Sequence, residues 1–151
     1  MPESSPSKLT IRVAVLEDVE RIAVLSGQLG YPASEQEICQ RLESLQGIDK
    51  EIVLVAEVAD LGVIGWAHAC LVHHLMYPVY AELVGLIVAE EQRDTGVGAA
   101  LVAQIETWSR KLGCNELWVR CNVLRERAHQ FYLRSGFQLR KSQHVFVKHL
   151  E

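Results

Sequence analysis

The chain is expected to fold as a mixed α/β domain, and three observations predict this. Seven short stretches alternate apolar and polar residues or run as β-branched blocks, which is the pattern of strands. Four others place apolar residues at helical spacing. The order is strand, two helices, three strands, helix, strand, helix and two last strands, which needs a sheet both antiparallel and parallel. With 151 residues, 49% of them hydrophobic, the length suits one core.

The elements follow in order. Residues 1–8 (MPESSPSK) are polar and proline-bearing and read as a disordered tail, leaving 9–151 as the domain. Leu9 to Val15 (LTIRVAV) alternates as a strand does. Asp18 is placed to cap a helix with Val19, Ile22, Ala23, Ser26 and Leu29 on one face, and Gly30-Tyr31-Pro32 stops it. Ser34 to Glu37 is a capping box that opens a second helix, striped by Ile38, Leu42 and Leu45 and followed by Gly47. Glu51 to Val58 and Val63 to Val72, joined by Asp60-Leu61-Gly62, form a hairpin. A loop (HHLMYPV) leads to the strand Tyr80 to Val88, whose Gly85 marks a bulge or a close backbone approach. Leu101, Val102, Ile105, Trp108 and Leu112 stripe a third helix that Gly113 closes. Glu116 to Cys121 is a strand, and Arg125 to Ser135 a short helix ended by Gly136. Phe137 to Leu139 and His144 to Leu150 complete the seven strands.

Composition narrows the function classes. The net charge is −4 and the pI about 5.9, so a general nucleic-acid binder is not indicated. No apolar run reaches membrane-spanning length, and no basic-then-apolar leader opens the sequence. Cys39, Cys70, Cys114 and Cys121 show no CxxC spacing, so they read as reduced thiols of a cytoplasmic protein. His73 and His74 are adjacent, so on a strand they would point to opposite faces, and no metal site is expected.

The stretch EEQRDTGVGAALV carries the chemistry. Arg93-x-x-Gly96-x-Gly98 lies between the third long strand and the third helix. The P-loop spacing is absent, since Ala99 stands where a lysine would be needed, and Leu101 replaces the third glycine of a dinucleotide fingerprint. Two readings remain open from this stretch alone. It is a plain strand–turn–helix joint, or a turn whose N–H groups and helix dipole hold a pyrophosphate.

Arg93-x-x-Gly96-x-Gly98 resembles the acyl-coenzyme A pyrophosphate motif of the GNAT superfamily of N-acetyltransferases. Ala128-His-Gln-Phe131-Tyr132-Leu-Arg-Ser-Gly136-Phe137 is similar to that superfamily's A-x-x-F-Y-x-x-x-G-F signature, and Asn122 stands just past a strand where the family often has asparagine. The likeness covers nearly the whole chain and looks closest to small-molecule members of the aminoalkylphosphonate and aminoglycoside type. It implies a single-domain GNAT fold: a mixed, mostly antiparallel sheet of about seven strands, a bulged and splayed fourth strand, and four helices. It also implies acetyl-CoA as acyl donor, a small-molecule amine as acceptor, and a homodimer paired through sheet edges or C-terminal strands. Protein acetylation, or acyl-CoA sensing without catalysis, stands as the alternative. Thr95 and Ala99 depart from the family, which commonly has basic or polar residues there.

The resemblance distributes roles. Leu86, Ile87 and Val88 would offer backbone N–H groups to the acetyl carbonyl and pantetheine. Arg93, Asp94, Thr95, Gly96, Val97, Gly98 and Ala99 would hold the pyrophosphate, with Asn122, Ala128 and Phe131 against the cofactor. Tyr132 would protonate the leaving thiolate; otherwise it is a core aromatic. Glu82, eleven positions before Arg93, would be the base; otherwise it is a solvated strand-end carboxylate or a substrate anchor. His73, His74 and His144 would border the amine pocket. No histidine is fixed by spacing to activate Cys121, which disfavours an acyl-enzyme. Trp66, Trp108 and Trp118 read as core or interface.

Overall fold

A computed structural model of the chain describes residues 8–151; apart from Lys8, the expected tail lies outside the described residues. The chain divides into a unit that ends at Val119 and a second from Arg120 to Glu151.

The first unit holds a five-stranded sheet in the order β1 (Leu9–Val13), β2 (Glu51–Val58), β3 (Gly62–Val72), β4 (Tyr80–Val88), β5 (Leu117–Val119). The first four are antiparallel neighbours, and β4 pairs β5 in parallel. Three helices belong to this unit: α1 (Val19–Gln28), α2 (Glu35–Leu45) and α3 (Val97–Lys111). The second unit carries α4 (Glu126–Arg134).

Local chemistry explains the helix starts. Ser34 Oγ accepts from Glu37 N–H at 3.1 Å while Glu37 Oε1 accepts from Ser34 N–H at 3.0 Å, the reciprocal box expected for α2. Asp18 does not cap α1 with its side chain as expected. Its carboxylate turns back to accept from Val15 N–H at 2.8 Å and to pair with both Arg12 nitrogens at 2.8 Å. Burial pushes the Asp18 carboxyl up, but the hydrogen bonds and charge of Arg12 and the bond from Val15 bring it net below its ordinary range. A bidentate guanidinium outweighs the single bond a cap would gain.

Leu25, Val55, Leu83, Leu101 and Ile105 are the largest fully buried side chains. Leu25 replaces Ala23 and Leu29 in the buried stripe of α1, and Ser109, bonded to the Ile105 carbonyl, is buried in α3 where Leu112 is exposed. Gly65 brings α3 close to the sheet. A Cβ there would lie 3.0 Å from Ile87 O and 3.4 Å from Leu101 and Val97 side-chain atoms.

Among the described residues the sheet has five strands, not seven, because Phe137 to Leu139 and His144 to Leu150 form no strand. Val145, Phe146 and Val147 are all exposed, Phe146 at 91%. Alternation records that a segment is able to pair; a ladder also needs an edge to pair with.

Candidate active site

The fourth strand is bulged and partly unpaired, as expected. Opposite β3, His68 faces Gly85 and Ala69 faces Leu83, so Val84 is the extra residue. The ladder to β5 covers only Ala81, Glu82 and Leu83. Beyond it, Ala89 N–H donates to Ile64 O on the β3 side at 2.8 Å. Donors alternate along a strand, which turns the N–H groups of Leu86 and Val88 toward the edge that β5 leaves, with Ile87 facing back to β3.

Gly85 is a packing requirement. A Cβ on it would stand 2.7 Å and 2.9 Å from two atoms of the Trp66 ring, which lies across the bulge. Trp66 is therefore part of the packing at the bulge, consistent with its reading as core.

The glycine turn has the geometry of an anion cradle. Gly96 sits at φ +90°, which favours glycine, and it precedes α3 with no side-chain cap and no acid in the first turn. The first intrahelical bond runs from Ala100 N–H to Gly96 O at 3.0 Å, so the N–H groups of Val97, Gly98 and Ala99 have no intrahelical acceptor. The Arg93 guanidinium has no ion pair among the described residues. Two residues inside the motif shape the turn: Asp94 adopts φ +63°, and Thr95 Oγ1 donates to the Gln92 carbonyl. Ala99 is exposed. A diphosphate fits this set of donors.

Glu82 is not alone. Strand register sets Glu51, Cys70, Glu82 and Trp118 directly opposite one another across β2, β3, β4 and β5, so all four share one sheet face. His68 lies on the same face two residues before Cys70. Its Nε2 is 3.4 Å from Glu51 Oε1, and neither that nitrogen nor Glu51 Oε2 has a hydrogen-bond partner among the described residues, although both atoms are buried. The Cys70 thiol is pushed up to about 11, by desolvation first, then by the charges of Glu51 and Glu82 and a bond to Glu51. It stays protonated and is no nucleophile at neutral pH. Sequence reasoning missed Glu51, His68 and Cys70, because only register unites them.

An aromatic stack borders this row. Tyr80 lies between His74, centroids 5.9 Å apart, and Trp118, at 4.4 Å, with Tyr77 at 6.1 Å from Trp118. His74 and its neighbour His73 are exposed on the loop before β4.

In the second unit, Tyr132 is half-buried on α4, edge-on to Phe131 at 5.3 Å and to Phe137 at 5.5 Å. Desolvation, then Cys121, raises its phenol above the ordinary value against the lowering influence of Arg125. The phenol is neutral and available as a donor. Cys121 is likewise pushed up, mainly by desolvation. Asn122 Oδ1 accepts from Leu124 N–H at 2.9 Å, and its carbonyl accepts from Arg125 N–H at 3.0 Å, so this side chain folds the entry to α4. Ala128 is half-buried on α4, and His144 is exposed beside Phe146.

The fold and the turn correspond to a known family. Residues 16–137 match the model of the acetyltransferase (GNAT) family. The chain belongs to that family. A curated relative, the aminoglycoside N(6')-acetyltransferase type 1 of Stenotrophomonas maltophilia, is 30% identical over 135 residues, which span 85% of this chain and 86% of the relative. Among solved structures, the aminoglycoside acetyltransferase AAC(6')-Iy in complex with coenzyme A superposes with a TM-score of 0.85 at 21% identity, covering 99% of both chains. AAC(6')-Ih of Acinetobacter baumannii gives 0.82 at 21% identity, over 95% of this chain and all (100%) of that one. At such identity these two show the fold. This GNAT protein is an acetyl-CoA-dependent N-acetyltransferase, similar to aminoglycoside N-acetyltransferases. Among its described residues no helix is long and apolar enough to cross a membrane.

Proposed function

We propose that this GNAT enzyme transfers acetyl from acetyl-CoA to a primary amine of a small, cationic molecule, by direct attack in a ternary complex. The observation that carries the choice of acceptor is the row Glu51–Cys70–Glu82. Two carboxylates flank a neutral thiol, on strand backbones about 10 Å apart across two spacings. Trp118, half-buried and opposite Glu82, extends the row with an aromatic ring of the kind that attracts cations. The aminoglycoside specificity in the relative's name fits such a lining.

The donor's pyrophosphate is held by N–H groups of Val97, Gly98 and Ala99 and by Arg93, with Gly96 supplying the turn and Asp94 and Thr95 shaping it. The pantetheine runs along the edge of β4, where Leu86 and Val88 N–H groups take its amides and the acetyl carbonyl. Glu82 holds the acceptor ammonium and draws its proton. The freed lone pair attacks the thioester carbon, the C–S bond breaks, and the Tyr132 phenol protonates the thiolate. Asn122, Ala128 and Phe131 are assigned to the donor by the family motif they belong to. His73, His74 and His144 tune the acceptor's approach, and two copies pair as a homodimer.

The test is release of coenzyme A thiol from acetyl-CoA against a panel of small amines and lysine peptides. Turnover with small polyamines, falling about 100-fold in Tyr132→Phe at unchanged acetyl-CoA affinity, is expected. Turnover confined to peptides would overturn the acceptor class. Loss of donor binding in Tyr132→Phe would remove its assignment as proton donor.

A further inference from the structure

The Glu51–His68 pair is not used by any step above, and its chemistry is unusual for a sheet. Both side chains are largely buried, with 20% and 24% of their surface exposed. Buried polar atoms are normally satisfied, so a pair whose facing atoms lack hydrogen bonds inside a candidate active site calls for a role. The imidazole Nε2 stands 3.4 Å from Glu51 Oε1 without a hydrogen bond.

Resting on the acetyltransfer reading, we propose that His68, oriented by Glu51, is the terminal acceptor of the proton that the acceptor ammonium gives up beside Glu82. The register supports this placement. His68 is opposite Gly85, the residue before Leu86 whose N–H faces the donor, and two residues along the same face from Cys70, the cross-strand partner of Glu82. Nε2 is buried beside Glu51 on the shared face, and Nδ1 is the nitrogen assigned to take the proton. Carboxylates as a class return a proton far more readily than imidazoles do, so a carboxylate that anchors an ammonium gains from an imidazole behind it.

The proton balance closes. The ammonium N–H proton leaves through Glu82 to His68 Nδ1, and the nitrogen lone pair forms the bond to the carbonyl carbon. The C–S bond breaks, and the thiolate takes its proton from Tyr132. The imidazolium then gives its proton to solvent, and the phenol is reprotonated from it. Glu51 is a positioning residue: it orients the ring, as the carboxylate of a hydrolase triad does.

The charged and titratable groups bearing on His68 are Glu51 from β2, Cys70 on β3 itself and Glu82 from β4. From α1, Arg21 reaches β3 at the Val63 carbonyl. At Gly65, α3 meets β3 through the apolar Val97 and Leu101.

The experiment is the pH profile of kcat/KM for the wild type, His68→Asn and Glu51→Gln, with a small diamine as acceptor and acetyl-CoA as donor. In His68→Asn kcat should fall about 100-fold at neutral pH, with acetyl-CoA affinity and unfolding midpoint retained, and the acid limb of the wild type should vanish. In Glu51→Gln, which keeps the ring but removes the carboxylate that orients it, kcat should fall less than in His68→Asn, with acetyl-CoA affinity and unfolding midpoint retained. Wild-type turnover with the same acid limb in both variants would overturn the proton route alone. A wild type without turnover on any amine would overturn the acetyltransfer reading, and this inference with it.

Discussion

Gly85→Ala tests what the bulge in β4 is for. Adding a Cβ puts a carbon 2.7 Å from one Trp66 ring atom and 2.9 Å from another, against 3.4 Å for ordinary contact, so the ring must retreat by about 0.7 Å. Trp66 is half-buried and packed along the sheet, so the movement forces an off-rotamer indole or a shift of β4. Overpacking of this kind costs about 1–3 kcal/mol. For a chain of this length each kcal/mol lowers the unfolding midpoint by about 2–4 °C. A loss of about 2–12 °C is therefore expected in thermal unfolding followed by circular dichroism. The cause is a single ring, so a double-mutant cycle isolates it: Trp66→Leu carries its own cavity cost, but in that background Gly85→Ala should cost close to nothing. An undiminished cost in the Trp66→Leu background would refute the packing argument. If stability were rescued while turnover stayed lost, the reacting thioester rather than the indole would be what requires glycine.

Other expectations follow from the same geometry. Gly96→Ala places a Cβ in open space but in a left-handed backbone, so about 1–2 kcal/mol of stability should go, with KM for acetyl-CoA raised more than kcat is lowered; denaturant unfolding and donor titration check it. Ser34→Ala removes one half of the α2 capping box and should cost about 1 kcal/mol in urea unfolding. The Asp18 carboxyl is held below its ordinary value, so its contribution is present above the ordinary carboxylate range and is lost as pH falls through the depressed folded-state value. Asp18→Asn should therefore flatten the fall of stability with acid, and an unchanged slope of unfolding free energy against pH would count against the Arg12–Asp18 pair as its source.

The sequence by itself determined the elements whose causes are local. The capping box at Ser34–Glu37 works within four residues, and β2 and β4 begin and end where the β-branched runs do. The glycine turn was legible because a positive φ at Gly96 and a helix start without acids are written in adjacent positions. Glu82 and Tyr132 could be named, but not what surrounds them.

Tertiary structure decided the rest. The last two expected strands are missing because pairing is a property of two segments, and Val145 to Val147 lie exposed. Asp18 serves Arg12 and Val15 instead of α1 because a guanidinium from β1 is within reach. Most telling is the face that carries Glu51. Counted from the Gly62 turn without interruption, Glu51 would oppose Ala69. The irregularity between Ala56 and Glu57 moves it by one residue to Cys70, and so to the row of Glu82. Because side chains alternate between faces, that one-residue shift is the difference between a glutamate opposite the buried Ala69 and one that joins His68 and Glu82.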